Sequence, residues 1–162
     1  MLLTSCAKSL WLGNKLSDKA TKQQQEQVKQ EVMQLLEKEY NQPFKLLNYK
    51  YEYKKHYDLG GNCHYCDVVK YGTYYFKIQA LDNPIIVMNF RIDDINKSST
   101  NELLEDFKNK KLSTEYCVTL SKIYMYQKQK TVDQSNLERA KKYCNNRDQN
   151  GYKDWENLSL ST

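Results

Sequence analysis

The chain has 162 residues, 40% of them hydrophobic and 14 of them Tyr, and its 25 basic and 20 acidic side chains leave a formal net charge of +5. That length suits one domain with a conventional apolar core, while only five Gly and two Pro argue against a low-complexity linker protein. The positive surplus is dispersed and falls short of a dedicated nucleic-acid stripe, and no run approaches the about 18 apolar residues of a membrane-spanning helix.

In chain order, the first feature is Leu3-Thr4-Ser5-Cys6. These residues resemble the lipobox of bacterial lipoproteins, in which a Leu and two small residues precede the Cys that becomes lipidated. Small side chains beside the scissile bond are what a signal peptidase requires. The resemblance implies acylation of Cys6, with Met1 an internal start inside a longer signal. Several acyl chains, at about 0.8 kcal/mol per buried CH₂, would give a stable anchor. Ala7 stands where an Asp would favour inner-membrane retention, so the resemblance implies the periplasmic side of the outer membrane. Residues 1–20 are expected to be signal tail and polar tether, 21–146 the folded domain, and 147–162 a polar C-terminal tail.

Val28, Val32, Leu35, Leu36 and Tyr40 recur at helical spacing, and Gln and Lys fill the opposite face. Thr21 with Gln24 predicts a capping box at the start of this helix, and Asn41-Gln42-Pro43 predicts its end. The period then changes to two. Leu47, Tyr49, Tyr51 and Tyr53 alternate with Asn48, Lys50, Glu52 and Lys54, which predicts a half-buried strand. After a loop with Gly60-Gly61, two further strands are expected, carrying Tyr74, Phe76, Ile78 and Ala80, then Ile86, Met88, Phe90 and Ile92. Leu81-Asp82-Asn83-Pro84 joins them as a hairpin turn. Ser99 with Glu102 predicts a short helix over Leu103, Leu104 and Phe107, ending near Lys111. Tyr116, Val118 and Leu120 read as a fourth strand, with Ile123 to Tyr126 open between strand and helix. Ser135 with Glu138 starts a last helix bearing Leu137, Ala140 and Cys144.

This order predicts an α+β fold, with the N-terminal helix packed on a curled antiparallel sheet and additional short helices. The layout resembles cystatin-like and nuclear-transport-factor-like architectures, and small bacterial lipoproteins with a Tyr-rich first strand and an Asp-Asn-Pro hairpin. Layout alone does not determine function.

Apart from Cys6, the cysteines are Cys63, Cys66, Cys117 and Cys144. In an oxidising compartment an even set predicts two disulfides. The favoured pairs are Cys63–Cys66 and Cys117–Cys144, the second closing the longer loop. Cys63-His64-Tyr65-Cys66 also has the spacing of a redox motif, but no helix follows to activate the thiolate. Zinc would need a second knuckle, and only His56 and His64 accompany the thiols. Asp93-Asp94 has the form of a cation site, and more commonly that of turn and capping residues. No nucleophile–base set is apparent, so no catalytic residue, metal or cofactor is expected. Tyr49, Tyr51 and Tyr53 are the candidate partner-binding residues, because Tyr anchors protein interfaces; core packing is the competing role. The expected function is a lipid-anchored, non-catalytic binding protein of the periplasm, such as an immunity or inhibitor protein, with a protein partner and no nucleic acid. A thiol–disulfide oxidoreductase using Cys63 and Cys66 is the alternative, and a single-strand nucleic-acid binder, in which Tyr49 to Lys55 and Lys122 to Lys130 interleave aromatic and basic residues, the next.

Overall fold

The structure is a computed structural model that describes residues 18–57, 68–126 and 134–145. Helix α1, Lys22–Tyr40, begins at the expected capping box: Gln24 N–H donates to Thr21 Oγ1 at 3.2 Å and Thr21 N–H to Gln24 Oε1 at 2.8 Å. It ends where Asn41 turns left-handed at φ 47°, a conformation Asn tolerates and most residues do not. Val28, Val32, Leu36 and Tyr40 are all buried, as their spacing requires.

Three strands follow, β1 (Phe44–Tyr57), β2 (Val68–Ala80) and β3 (Val87–Asp93), forming an open antiparallel sheet in the order β1-β2-β3. The first two extend as a long ribbon from Phe44↔Ala80 to Tyr57↔Val68. Their register shifts between Leu46 and Asn48, so Leu47 is a bulge and is exposed. The sequence pattern put Leu47 on the tyrosine face; Leu46 belongs there instead, packed against the core. One inserted residue reverses the side on which all earlier side chains fall. Across the sheet, Tyr74, Phe76, Ile78 and Ala80 of β2, and Met88, Phe90 and Ile92 of β3 with Ile86 just before it, are buried on one face. The hairpin between them closes through Ala80 N–H to Ile86 O at 3.0 Å and Ile86 N–H to Asn83 O at 2.9 Å.

Helix α2, Thr100–Phe107, starts at Ser99, whose Oγ accepts Glu102 N–H at 3.2 Å. Glu102 reaches one residue further back than a standard box, accepting from Ser98 N–H at 2.8 Å and Ser98 Oγ at 2.7 Å. A π-helical turn over Lys108–Leu112 leads to α3, Glu115–Tyr126, and α4 covers Gln134–Asn145. The fourth strand expected at Tyr116–Leu120 is therefore a helix. Among the described side chains its buried residues are Tyr116, Cys117, Leu120 and Ser121, a helical i, i+1, i+4, i+5 set, while Val118 is only half-buried. Over five residues Tyr116, Val118 and Leu120 fit either period, and tertiary burial decides. The last helix starts one residue before Ser135, and Glu138 pairs with Lys141 at 2.9 Å.

The core lies between the inner sheet face and the helices. A row of rings crosses it: Tyr49 to Phe76 at 5.2 Å, Phe76 to Phe90 at 5.3 Å, and Phe90 to Phe107 of α2 at 5.6 Å. At the other end Tyr40 stacks on Tyr116 at 4.8 Å and donates its hydroxyl to Leu112 O at 2.7 Å. Cys117 and Cys144 join α3 to α4 in a disulfide with Cα atoms 5.6 Å apart. A loop of this length contributes about 3–4 kcal/mol by loop-closure entropy.

Candidate partner-binding face

Strand alternation divides the sheet into two chemically different faces. The tyrosines expected to meet a partner lie on the inner one. Tyr49 is half-buried and donates its hydroxyl to Gln25 O of α1 at 2.9 Å, and burial pushes its pKa up to about 12. Tyr51, also half-buried, accepts Ala20 N–H at 2.9 Å and packs on Tyr74, ring centroids 4.8 Å apart. Tyr53 sits at the rim, its pKa raised by desolvation and then by the Asp18 and Asp94 carboxylates. Tyr49 and Tyr51 thus seat α1 on the sheet, with both hydroxyls engaged.

The outer face carries rows that cross all three strands: Asn48–Lys77–Asn89, Lys50–Tyr75–Arg91 and Glu52–Thr73–Asp93. Lys50 and Lys54 both pair with Glu52, and these contacts, Lys50 first, hold its carboxyl down at about 2. Thr73 donates its hydroxyl to Asp93 Oδ1 at 2.7 Å, and Arg91 Nε lies 3.5 Å from Asp93 Oδ2. Lys54 stands over the Tyr75 ring at 5.9 Å.

Helix α3 packs beside β3, and between it and the outer face runs a groove of about 540 Å³. Lys77 and Arg91 line it from the sheet and Lys111 and Lys122 from the helical side, with Glu115 as the one carboxylate in its lining. Glu115 pairs with Lys111 at 3.5 Å. Among the described residues Lys77 and Lys122 make no ion pair, so the groove has uncompensated positive charge. Val118, Tyr75 and Asn89 supply apolar and hydrogen-bonding surface between the cations. Such a surface has the charge to attract carboxylates.

Lys77, Arg91 and Lys111 were not singled out by sequence reasoning; Lys122 was, as the first residue of a stretch that interleaves aromatic and basic side chains. The signal for the strand members was present in the polar half of the alternation on β2 and β3. The helical members needed α3 to be recognised as a helix.

Asp93 and Asp94 point to different partners. Asp93 bonds Thr73 on the outer face, while buried Asp94 accepts Gly72 N–H at 2.6 Å on the inner side. They serve as pairing and turn residues. Among the described residues no three His, Cys, Asp or Glu side chains converge to hold a metal ion, and no described helix is long and apolar enough to cross a membrane. Cys6, Cys63, His64 and Cys66, on which the lipid, redox and second-disulfide expectations rest, lie outside the described residues, as does the side chain of His56. The fold and the groove define an α+β domain with an open basic sheet face. Compared with known proteins, the chain matches no family model, no curated protein and no solved structure.

Proposed function

We propose that the chain is a non-catalytic binding protein of the bacterial cell envelope, anchored through Cys6, that docks an acidic protein on its outer sheet face. An immunity or inhibitor role toward a secreted toxin or envelope enzyme is the specific form of this reading. The observation that supports it best is the groove between β3 and α3, whose Lys77, Arg91, Lys111 and Lys122 outnumber the lone Glu115. Steering by such a patch raises association rates, and contacts at its centre determine the lifetime of the complex. Among the residues lining the groove Tyr75 is half-buried and Phe76 and Phe90 are buried, which is not the run of exposed stacking platforms that a single-strand nucleic-acid binder uses.

Two measurements test the proposal on the chain expressed in a Gram-negative host from its gene with the in-frame signal sequence upstream of Met1 included. Mass analysis of envelope-fraction protein should find Cys6 acylated; an unmodified Cys6 thiol there overturns the anchor. A photo-crosslinking residue at Lys77 or Lys122 should trap an acidic envelope protein, and the same residue at Gln30 on α1 should not. Reversing Lys77 and Lys122 to Glu should abolish the adduct. Adducts independent of position, or salt-sensitive binding to oligonucleotides instead, overturn the docking face.

A further inference from the structure

Three polar side chains are buried together where the β2–β3 hairpin meets the helices. Gln42 follows the end of α1, Asn83 lies in the hairpin and Tyr116 in the first turn of α3, and each is no more than 4% exposed. Tyr116 lies against both of the others. Yet Gln42 Nε2 and Oε1, Asn83 Oδ1 and the Tyr116 hydroxyl have no hydrogen-bond partner among the described residues. Buried polar atoms in this state cost stability, and hydration relieves that cost. The element that covers the corner therefore works against a standing tendency to open.

Helix α4 is that element. Tyr143 packs on Tyr116 with ring centroids 5.4 Å apart, and on Tyr40 at 6.3 Å. The docking of α4 is thin. Among its described side chains only Ala140 and Cys144 are buried, and the helix packs chiefly on α3. A cleft of about 530 Å³ separates it from the hairpin, with Asp82 and Asn83 on one side and Arg139, Lys142 and Tyr143 on the other. Among the described residues Asp82 forms no ion pair with either cation across this cleft. What fastens α4 is the Cys117–Cys144 disulfide, which acts by denying conformational freedom to the undocked chain. Both cysteines are buried, but Cys144 stands one residue before the end of α4, so fraying of the last turn exposes the bond.

We propose that α4 is a redox-released lid over the Gln42–Asn83–Tyr116 corner. A dithiol reductant supplies two electrons and two protons. One of its thiolates attacks a sulfur of the bridge, the S–S bond breaks, and its second thiol then resolves the mixed disulfide. The reductant leaves as a disulfide, and Cys117 and Cys144 remain as two thiols. Without the bridge α4 undocks from α3 and water reaches the corner. The sheet, α1 and α2 stay folded, because the ring row from Tyr49 to Phe107 that joins sheet to helix includes no residue of α4. The lid rests neither on the anchor nor on the outer groove.

The test is amide hydrogen exchange of the full chain, read peptide by peptide by mass spectrometry with and without dithiothreitol. Reduction, checked by thiol counting, should speed exchange over 134–145 about a hundredfold and leave β2 and β3 protected. Cys117→Ala with Cys144→Ala should show the fast exchange without reductant and no further response there, which separates this bridge from the other cysteines. Tyr116→Phe removes one unpaired hydroxyl and should slow the exchange of α4 in the reduced protein about tenfold. Unchanged protection of 134–145 on reduction, loss of protection in β2 and β3 together with α4, or unchanged exchange in reduced Tyr116→Phe overturns the lid. A double Ala variant that fails to fold overturns it too, since the rest of the domain is expected to stand without the bridge.

Discussion

The two faces of one three-stranded sheet, built from alternate residues of the same strands, have opposite chemistry. Inside, Tyr49, Phe76, Phe90 and Phe107 stack in a row and the helices close over them. Outside, Lys50, Glu52, Lys54, Lys77, Arg91 and Asp93 face solvent, and α3 lies along one margin only. The inner face holds the stability of the fold, because apolar burial stabilises by about 25 cal/mol per Å². The outer ion pairs contribute about 0–1 kcal/mol each and leave that surface free to be used for binding. An open sheet with one packed face is thus a support whose other face can change composition at little cost.

Alkaline pH should break this contrast most completely. Burial raises the pKa of Tyr49 and of Tyr116 to about 12 and also raises that of Tyr51. Groups whose pKa is raised on folding contribute stability that is fully present below about pH 10, their unfolded value. It is lost as pH rises from about 10 toward 12. Phenolate absorbance should therefore appear for these residues in one cooperative step coincident with loss of circular dichroism; a gradual, non-cooperative rise would contradict the packing described. Phe76→Ala, which removes the middle of the ring row, should cost about 3–5 kcal/mol in urea unfolding. Replacing Cys117 and Cys144 together by Ala should cost about 3–4 kcal/mol, and dithiothreitol should lower the wild-type melting temperature by more than it lowers the variant's. At the other extreme, Lys77→Glu should move stability by no more than about 0.5 kcal/mol, while weakening capture of an acidic partner. A large stability loss there would mean that the outer face carries the fold as well.

Much of the layout was legible because local and global signals agreed. The Thr21–Gln24 box, the Val28–Tyr40 stripe and the alternation in β2 and β3 each specify one side for burial, and the structure buries that side. Of the two expected disulfides, Cys117–Cys144 lies among the described residues and is bonded, while Cys63 and Cys66 lie outside them. Two elements were misjudged for a common reason. Leu47 and Val118 are apolar residues in short windows where an alternating pattern is easily satisfied by chance. A bulge excludes the first from the core, and a helix leaves the second only half-buried. Neither event has a strong local mark such as Gly or Pro.

The candidate sites show the same division. Tyr49 and Tyr51 were conspicuous in sequence, yet their hydroxyls serve α1. Tyr116 lies beside Gln42 and Asn83 in the buried corner near the hairpin without forming a well-shaped hydrogen bond to either, a placement no local pattern announces. What the sequence alone determined was the α+β class, the caps, the strand faces and the cysteine set, because these depend on periodicity and on neighbours within a few residues. Only the tertiary structure decided that Lys77, Arg91, Lys111 and Lys122 line one groove, and that Tyr74, Asp94 and Leu103 line one cavity. Those groupings join residues far apart in the chain, and strand register and helix docking, set by burial over the whole domain, are what bring them together.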